Sequence, residues 1–109
     1  AEEGRYLTQF GAHGSADGQF NCHRGVCTDA EGRIYVADFD NHRIQVLDGE
    51  GRCLFKFGSF GGGDGQLDYP IGVRVNSEGH VVVAEWANRR LSVFDGAGRF
   101  LRHLGKGLL

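Results

Sequence analysis

Apolar residues in this chain come in short bursts separated by polar or glycine-rich punctuation. Gly25-Val26-Cys27-Thr28-Asp29, Arg33-Ile34-Tyr35-Val36-Ala37, Arg43-Ile44-Gln45-Val46-Leu47 and Cys53-Leu54-Phe55-Lys56-Phe57 are four such bursts. Val, Ile, Tyr and Phe suit a pleated surface, so each run reads as a strand. Ala30-Glu31-Gly32, Asp38 to Asn41 and Asp48-Gly49-Glu50-Gly51 separate them and carry turn chemistry. No stretch sustains a period of about 3.6 residues, so the pattern predicts an all-β chain with almost no helix.

The pattern then repeats. Shifted by 47, the chain overlays itself with 25 identities in 62 positions. Gly25-Val26 becomes Gly72-Val73, Val36-Ala37-Asp38 becomes Val83-Ala84-Glu85, and Asp48-Gly49 becomes Asp95-Gly96. Gly4-Arg5-Tyr6-Leu7 also matches Gly51-Arg52-Cys53-Leu54 and Gly98-Arg99-Phe100-Leu101. The reading is an outer strand of a preceding unit plus connector over 1–17, a first unit over 18–64 and a second over 65–109. Four short strands per unit and a period in the forties point to propeller blades.

The repeated residues resemble the NHL repeat. The pattern is Gly-Gln-Phe, Gly-Val-x-x-Asp, (Ile/Val)-x-Val-Ala-Asp and Asn-x-Arg-(Ile/Leu)-x-Val-(Leu/Phe)-Asp, closing on Phe-Gly. Residues 18–58 fit nearly throughout; residues 65–105 depart at Asn76 and Glu85, which replace the Asp of the first copy. The resemblance implies two four-stranded antiparallel blades of a six-bladed propeller, like the NHL domain of tripartite-motif ubiquitin ligases. It also implies a recognition platform for protein or RNA. A ring needs about 280 residues at this period, so two blades are one third of one. Either three copies close it as a homotrimer, the leading expectation, with the outer strand at 5–10 or 99–104 shared between subunits, or the chain is a segment of a longer propeller.

Most repeated polar residues have structural readings. Asp38 and Asn41, with Glu85 and Asn88, are expected to accept backbone N–H groups in the turn between second and third strands. Arg43 and Arg90 are expected to pair with those acids or with nearby carbonyls. Val26, Val36 and Val46, with Val73, Val83 and Val93, are expected to pack between blades. The positions that differ between units are the better functional candidates. In an up-and-down sheet the 58–70 connector and the turns at 38–43 and 85–90 share one face. His23, Arg24, Phe39, His42, Trp86 and Arg89 fall there. Arg24, Phe39, His42, Trp86 and Arg89 are the candidate ligand contacts. Interleaved aromatic and basic groups suit single-stranded RNA through stacking and phosphate contact. They equally suit a peptide or protein, for which Trp and Arg are frequent anchors. A solvated loop face with incidental aromatics is the plainer alternative.

Composition narrows this further. Twelve Lys/Arg against fourteen Asp/Glu give a net charge of -2, which argues against a strongly basic nucleic-acid module. No apolar run reaches the roughly 20 residues of a membrane span. Three cysteines are an odd count with no Cys-x-x-Cys pair, so neither a disulfide framework nor a zinc site is expected. Reduced thiols in the cytoplasm follow. No nucleophile elbow, zinc-protease helix or Walker loop is present, and Gly61-Gly62-Gly63-Asp64-Gly65 opens onto a strand and lacks the phosphate-loop lysine. The expectation is a non-enzymatic scaffold with no cofactor or metal. It binds protein or peptide and self-assembles, with RNA binding or a purely structural, engineered or minimal fragment as alternatives.

Overall fold

The computed structural model describes residues 12–14, 19–20 and 23–104. Two short segments, β1 (Ala12–His13) and β2 (Gln19–Phe20), pair in parallel. Two four-stranded antiparallel sheets follow. The first is built in chain order from β3 (His23–Thr28), β4 (Ile34–Asp38), β5 (Arg43–Leu47) and β6 (Cys53–Phe57). The second is built in the same order from β7 (Pro70–Val75), β8 (Val81–Glu85), β9 (Arg90–Phe94) and β10 (Phe100–Leu104). These are the two blades. The third and fourth strands of the first blade match the predicted bounds; the first begins two residues early and ends one early. Among the described residues a single 3-10 turn, Phe39–Asn41, interrupts the strands. The outer strand expected over 5–10 lies outside the described residues, as do the bounds of the 1–17 segment.

Local chemistry explains the hairpins. Asp29 accepts the backbone N–H groups of Glu31 and Arg33, each at 3.0 Å. Asp48, Asn76 and Asp95 accept from the residues two and four further on in the same way. One short side chain thus satisfies two donors and closes the turn. Gly32 and its counterpart Gly79 follow at φ 83° and 80°, where a Cβ is disfavoured. Burial pushes the Asp29 carboxyl up. The Arg33 guanidinium and N–H and the Tyr35 hydroxyl outweigh that and hold it below the ordinary range. Tyr35 is pushed up to about 12 by burial and by donating to Asp29.

The blades pack face to face. Tyr35, Ala37, Ile44 and Val46 of the first meet Val73, Val81, Val83 and Phe94 of the second, with Leu67 of the connector. Phe57 and Phe94 lie 4.7 Å apart between ring centroids. Of the repeated valines, Val46, Val73 and Val83 lie in this cluster as expected, while Val93 is buried outside it. Val36 joins Ile34 and Leu47 in a separate cluster, and Val26 is 37% exposed. Neighbouring strand residues point to opposite faces, and equivalent positions meet different surroundings on either side of one interface.

Candidate functional site

The connector from Gly58 to Tyr69 crosses from the outer strand of the first blade to the inner strand of the second. The turn at Phe39–His42 reaches up to it. His42 takes a left-handed conformation at φ 55°, and its N–H donates to Phe39 O at 3.3 Å. That twist sets the imidazole between two connector rings, 4.7 Å from Phe60 and 4.5 Å from Tyr69, edge-on to both. The Tyr69 N–H donates to His42 Nδ1 at 3.2 Å, so the ring proton is assigned to Nε2. Phe39 packs on Tyr69 at 4.7 Å, and Trp86 lies edge-on to Tyr69 at 6.0 Å. Phe60, His42, Tyr69 and Trp86 thus form a continuous aromatic row. Phe60 and Trp86 are 65% and 60% exposed, so both ends of the row face solvent.

Of the candidates named from sequence, the structure brings Phe39, His42 and Trp86 together through Tyr69. Arg89 is exposed and left-handed at φ 52°, on the turn that carries Trp86. Arg24 lies on β3, but its side chain is outside the described residues. Tyr69 and Phe60 were missed. Both sit in the non-repeating connector, and an aromatic residue directly before Pro70 was the available signal. Asp40 is exposed on the turn that carries Phe39 and His42, and Asp64 is exposed in the connector, 3.3 Å from His103 Nε2. Asp68 Oδ1 is buried without a hydrogen-bond partner, 3.7 Å from His42 Nδ1.

Beneath the row, the repeated polar set is a clasp. Asp38 is fully buried and holds Arg43 Nε at 2.9 Å and Asn41 Nδ2 at 3.0 Å. Glu85 repeats this with Arg90 at 2.9 Å and Asn88 at 2.7 Å. Asn41 donates on to Gly14 O at 2.8 Å and Asn88 to Gly61 O at 3.1 Å. Arg90 also reaches the carbonyls of Gly62, Gly63 and Gln66. The expected acceptance of turn N–H groups is therefore corrected. The carboxylates take side-chain donors and the asparagines donate to the carbonyls of Gly14 and Gly61, while the His42 N–H goes to Phe39 O and the Trp86 and Ala87 N–H groups to Tyr69 O and Asp68 O. Glu85 also accepts a backbone N–H from the connector, that of Asp68 at 3.2 Å.

Ser92, His103 and Asp64 form the one arrangement among the described residues that resembles a nucleophile set. Ser92 Oγ lies 3.1 Å from His103 Nδ1, and His103 Nε2 lies 3.3 Å from Asp64. Ser92 is fully buried and its hydroxyl donates to Glu85, so it presents no nucleophile to solvent. No group of three His, Cys, Asp or Glu among the described residues is placed to hold a metal. No described helix is long and apolar enough to cross a membrane.

The NHL repeat pattern matches residues 20–47 and 67–94. Protein ncl-1 of Caenorhabditis elegans, a B-box type zinc finger protein, is 49% identical over 45 residues, covering 41% of this chain and 5% of that protein. Protein lin-41 of the same organism is 46% identical over 48 residues, covering 44% of this chain and 4% of that protein. Protein brain tumor of Drosophila melanogaster is 47% identical over 45 residues, covering 41% and 4%. The chain thus spans about a twentieth of these relatives' lengths. Among solved structures, an exported protein of Bacteroides fragilis superposes with a TM-score of 0.67 at 15% identity, covering 84% of this chain and 26% of that one. A Bacteroides caccae protein gives 0.52 at 17% identity, covering 75% and 30%. At that identity the likeness concerns fold alone.

Proposed function

We propose, on the premise that this chain belongs to the NHL-repeat family, that it is a non-enzymatic binding module whose connector face takes a protein or peptide. The observation that carries this is the aromatic row with two solvent-facing ends, Phe60 and Trp86, across the two blades. Flat aromatic surface of this kind anchors apolar or aromatic side chains of a partner. Phe39 and His42 position the row, and Arg89 supplies a flanking cation. The carboxylates of Asp40 and Asp64 temper the field there, which favours a peptide over a polyphosphate. The odd cysteine count supports a cytoplasmic setting.

RNA is the second reading, favoured by one feature: Arg89 and Trp86 are both exposed on the same turn, a cation and a ring of the kind that contact phosphate and base. The two separate cleanly. Partners are selected in parallel from a peptide display library and a randomised RNA pool, then titrated against salt. A peptide partner keeps its affinity from 50 to 200 mM salt, and Trp86→Ala weakens it at least about tenfold, since a central aromatic anchor contributes roughly 2 kcal/mol or more. RNA binding falls steeply over the same range and with Arg89→Ala. Selections that enrich neither, or binding indifferent to Trp86→Ala and Phe60→Ala, refute the platform.

A further inference from the structure

His42 stands between two alternative partners. Its Nδ1 accepts the Tyr69 N–H at 3.2 Å, and a backbone N–H can only donate, so Nδ1 carries no proton in this arrangement. Asp68 Oδ1 lies 3.7 Å from the same nitrogen, buried and without a hydrogen-bond partner. A buried acceptor left open is uncommon and calls for a reason. A proton on Nδ1 supplies one. N–H then faces N–H at Tyr69, while the carboxylate gains a charge-assisted donor.

Tyr69 is the residue this choice moves. It sits at φ 57°, directly before Pro70, a conformation that a bulky side chain seldom takes. Its tethers are the His42 bond, the Trp86 N–H to its carbonyl at 2.9 Å, and ring contacts with Phe39, His42 and Trp86. Backbone held in this way persists only while its surroundings over-determine it. The fold itself does not ask for the trio. In the repeat, His42 has Arg89 as its counterpart, which keeps its charge, and Asp68 and Tyr69 have Asn21 and Cys22. The buried acid, Asn and Arg of the clasp recur in both units, whereas His42, Asp68 and Tyr69 combine once.

We propose that His42 and Asp68 form a proton-operated catch on the aromatic row. With Nδ1 unprotonated, His42 holds Tyr69 and the row is assembled. When Nδ1 takes a proton it donates to Asp68 Oδ1 and releases the Tyr69 N–H, and Tyr69 leaves its place between His42 and Trp86. Histidine changes charge between about pH 5 and 8, so the row opens on mild acidification. The other charged groups around His42 are engaged or face solvent. Asp38 with Arg43 and Glu85 with Arg90 pair beneath it, each at 2.9 Å. Asp40 and Arg89 are exposed on their turns, and Asp64 is exposed in the connector, 3.3 Å from His103 Nε2. Control of partner binding by this catch rests on the peptide reading above; the catch itself does not.

The test follows the free 109-residue chain by NMR from about pH 7.5 to about pH 5.5, reading the His42 ring nitrogens and the exchange protection of the Tyr69 amide. Protection is expected to fall at least about fivefold as Nδ1 takes its proton, the loss of one hydrogen bond. His42→Asn puts an acceptor oxygen where Nδ1 stands, suits the left-handed backbone and takes no proton there, so its Tyr69 protection is expected to stay level. Asp68→Asn removes the carboxylate and is expected to blunt the fall. Tyr69 equally protected once His42 is charged, or a fall of the same size in either variant, overturns the proposal. A peptide selected at the higher pH is expected to bind the parent at least about fivefold more weakly at the lower one, with that ratio near one for His42→Asn. A ratio near one in the parent, with Tyr69 released, overturns the control of binding. Failure to select any peptide refutes the binding platform instead, and the Tyr69 amide still decides the catch.

Discussion

Gly25 and Gly72 occupy the same position of the repeat, yet substituting them is expected to have opposite effects. A methyl group on Gly25 would lie 2.9 Å from Gly72 Cα, 3.0 Å from Ile71 O and 3.4 Å from Val73 N. All three are backbone atoms of the neighbouring blade, so no rotamer change relieves the clash. The blades must part along β3 and β7, at an overpacking cost of about 1–3 kcal/mol. At Gly72 the nearest atom is Ala84 Cβ at 3.7 Å, ordinary van der Waals contact. Alanine there removes the roughly 0.5–1 kcal/mol penalty of glycine inside a strand and adds apolar contact. Gly25→Ala is thus expected to lower the melting temperature by at least about 4 °C, and Gly72→Ala to leave it unchanged or raise it slightly. Circular dichroism melts of the two variants beside the parent chain decide this. Equal losses at both positions would refute the reasoning, because they would mean that strand geometry, not contact between blades, requires the glycines.

Removing Arg90 leaves Glu85 buried without its cation, so Arg90→Ala is expected to cost about 3–5 kcal/mol in denaturant unfolding. Arg90→Lys should recover little, because one ammonium cannot serve Glu85 and the carbonyls of Gly62, Gly63 and Gln66 together. The same variants should speed amide exchange at Gln66, whose N–H donates to Gly63 O. Asp29 titrates below its unfolded value of about 3.9, so its contribution is full above that pH and is lost as pH falls through the lowered folded value. Asp29→Asn should keep the two backbone bonds, as Asn76 does. It should lose about 1 kcal/mol at neutral pH, since Arg33 is 32% exposed and screened. Its acid unfolding limb should be flatter than the parent's in pH-dependent melts.

Much of the fold was legible because strand chemistry is local. Alternating β-branched runs, Asp or Asn at hairpin starts and glycine three residues later dictate the four hairpin turns of the outer and inner strand pairs without reference to the rest of the chain. Repetition then supplied what one copy left ambiguous, and the Asp/Asn/Arg set was legible as structural because it recurs. Its wiring was not. That Asn41 and Asn88 donate to connector carbonyls depends on 27-residue separations that no local rule contains. The candidate site shows the same division. Phe39, His42 and Trp86 were visible as departures between units, while Tyr69 and Phe60 join them only because the connector folds back over the turn.

The sequence by itself determined the strands, the blade period, the family and the face that carries the connectors, since each follows from short-range propensity or self-similarity. Only the tertiary structure decided what equivalent residues do. Gly25 and Gly72, Phe39 and Trp86, His42 and Arg89 are equivalent along the chain, but one member of each pair is covered and the other open. The reason is physical. Packing depends on the surface that arrives from the neighbouring blade, and that surface is specified by residues distant in sequence.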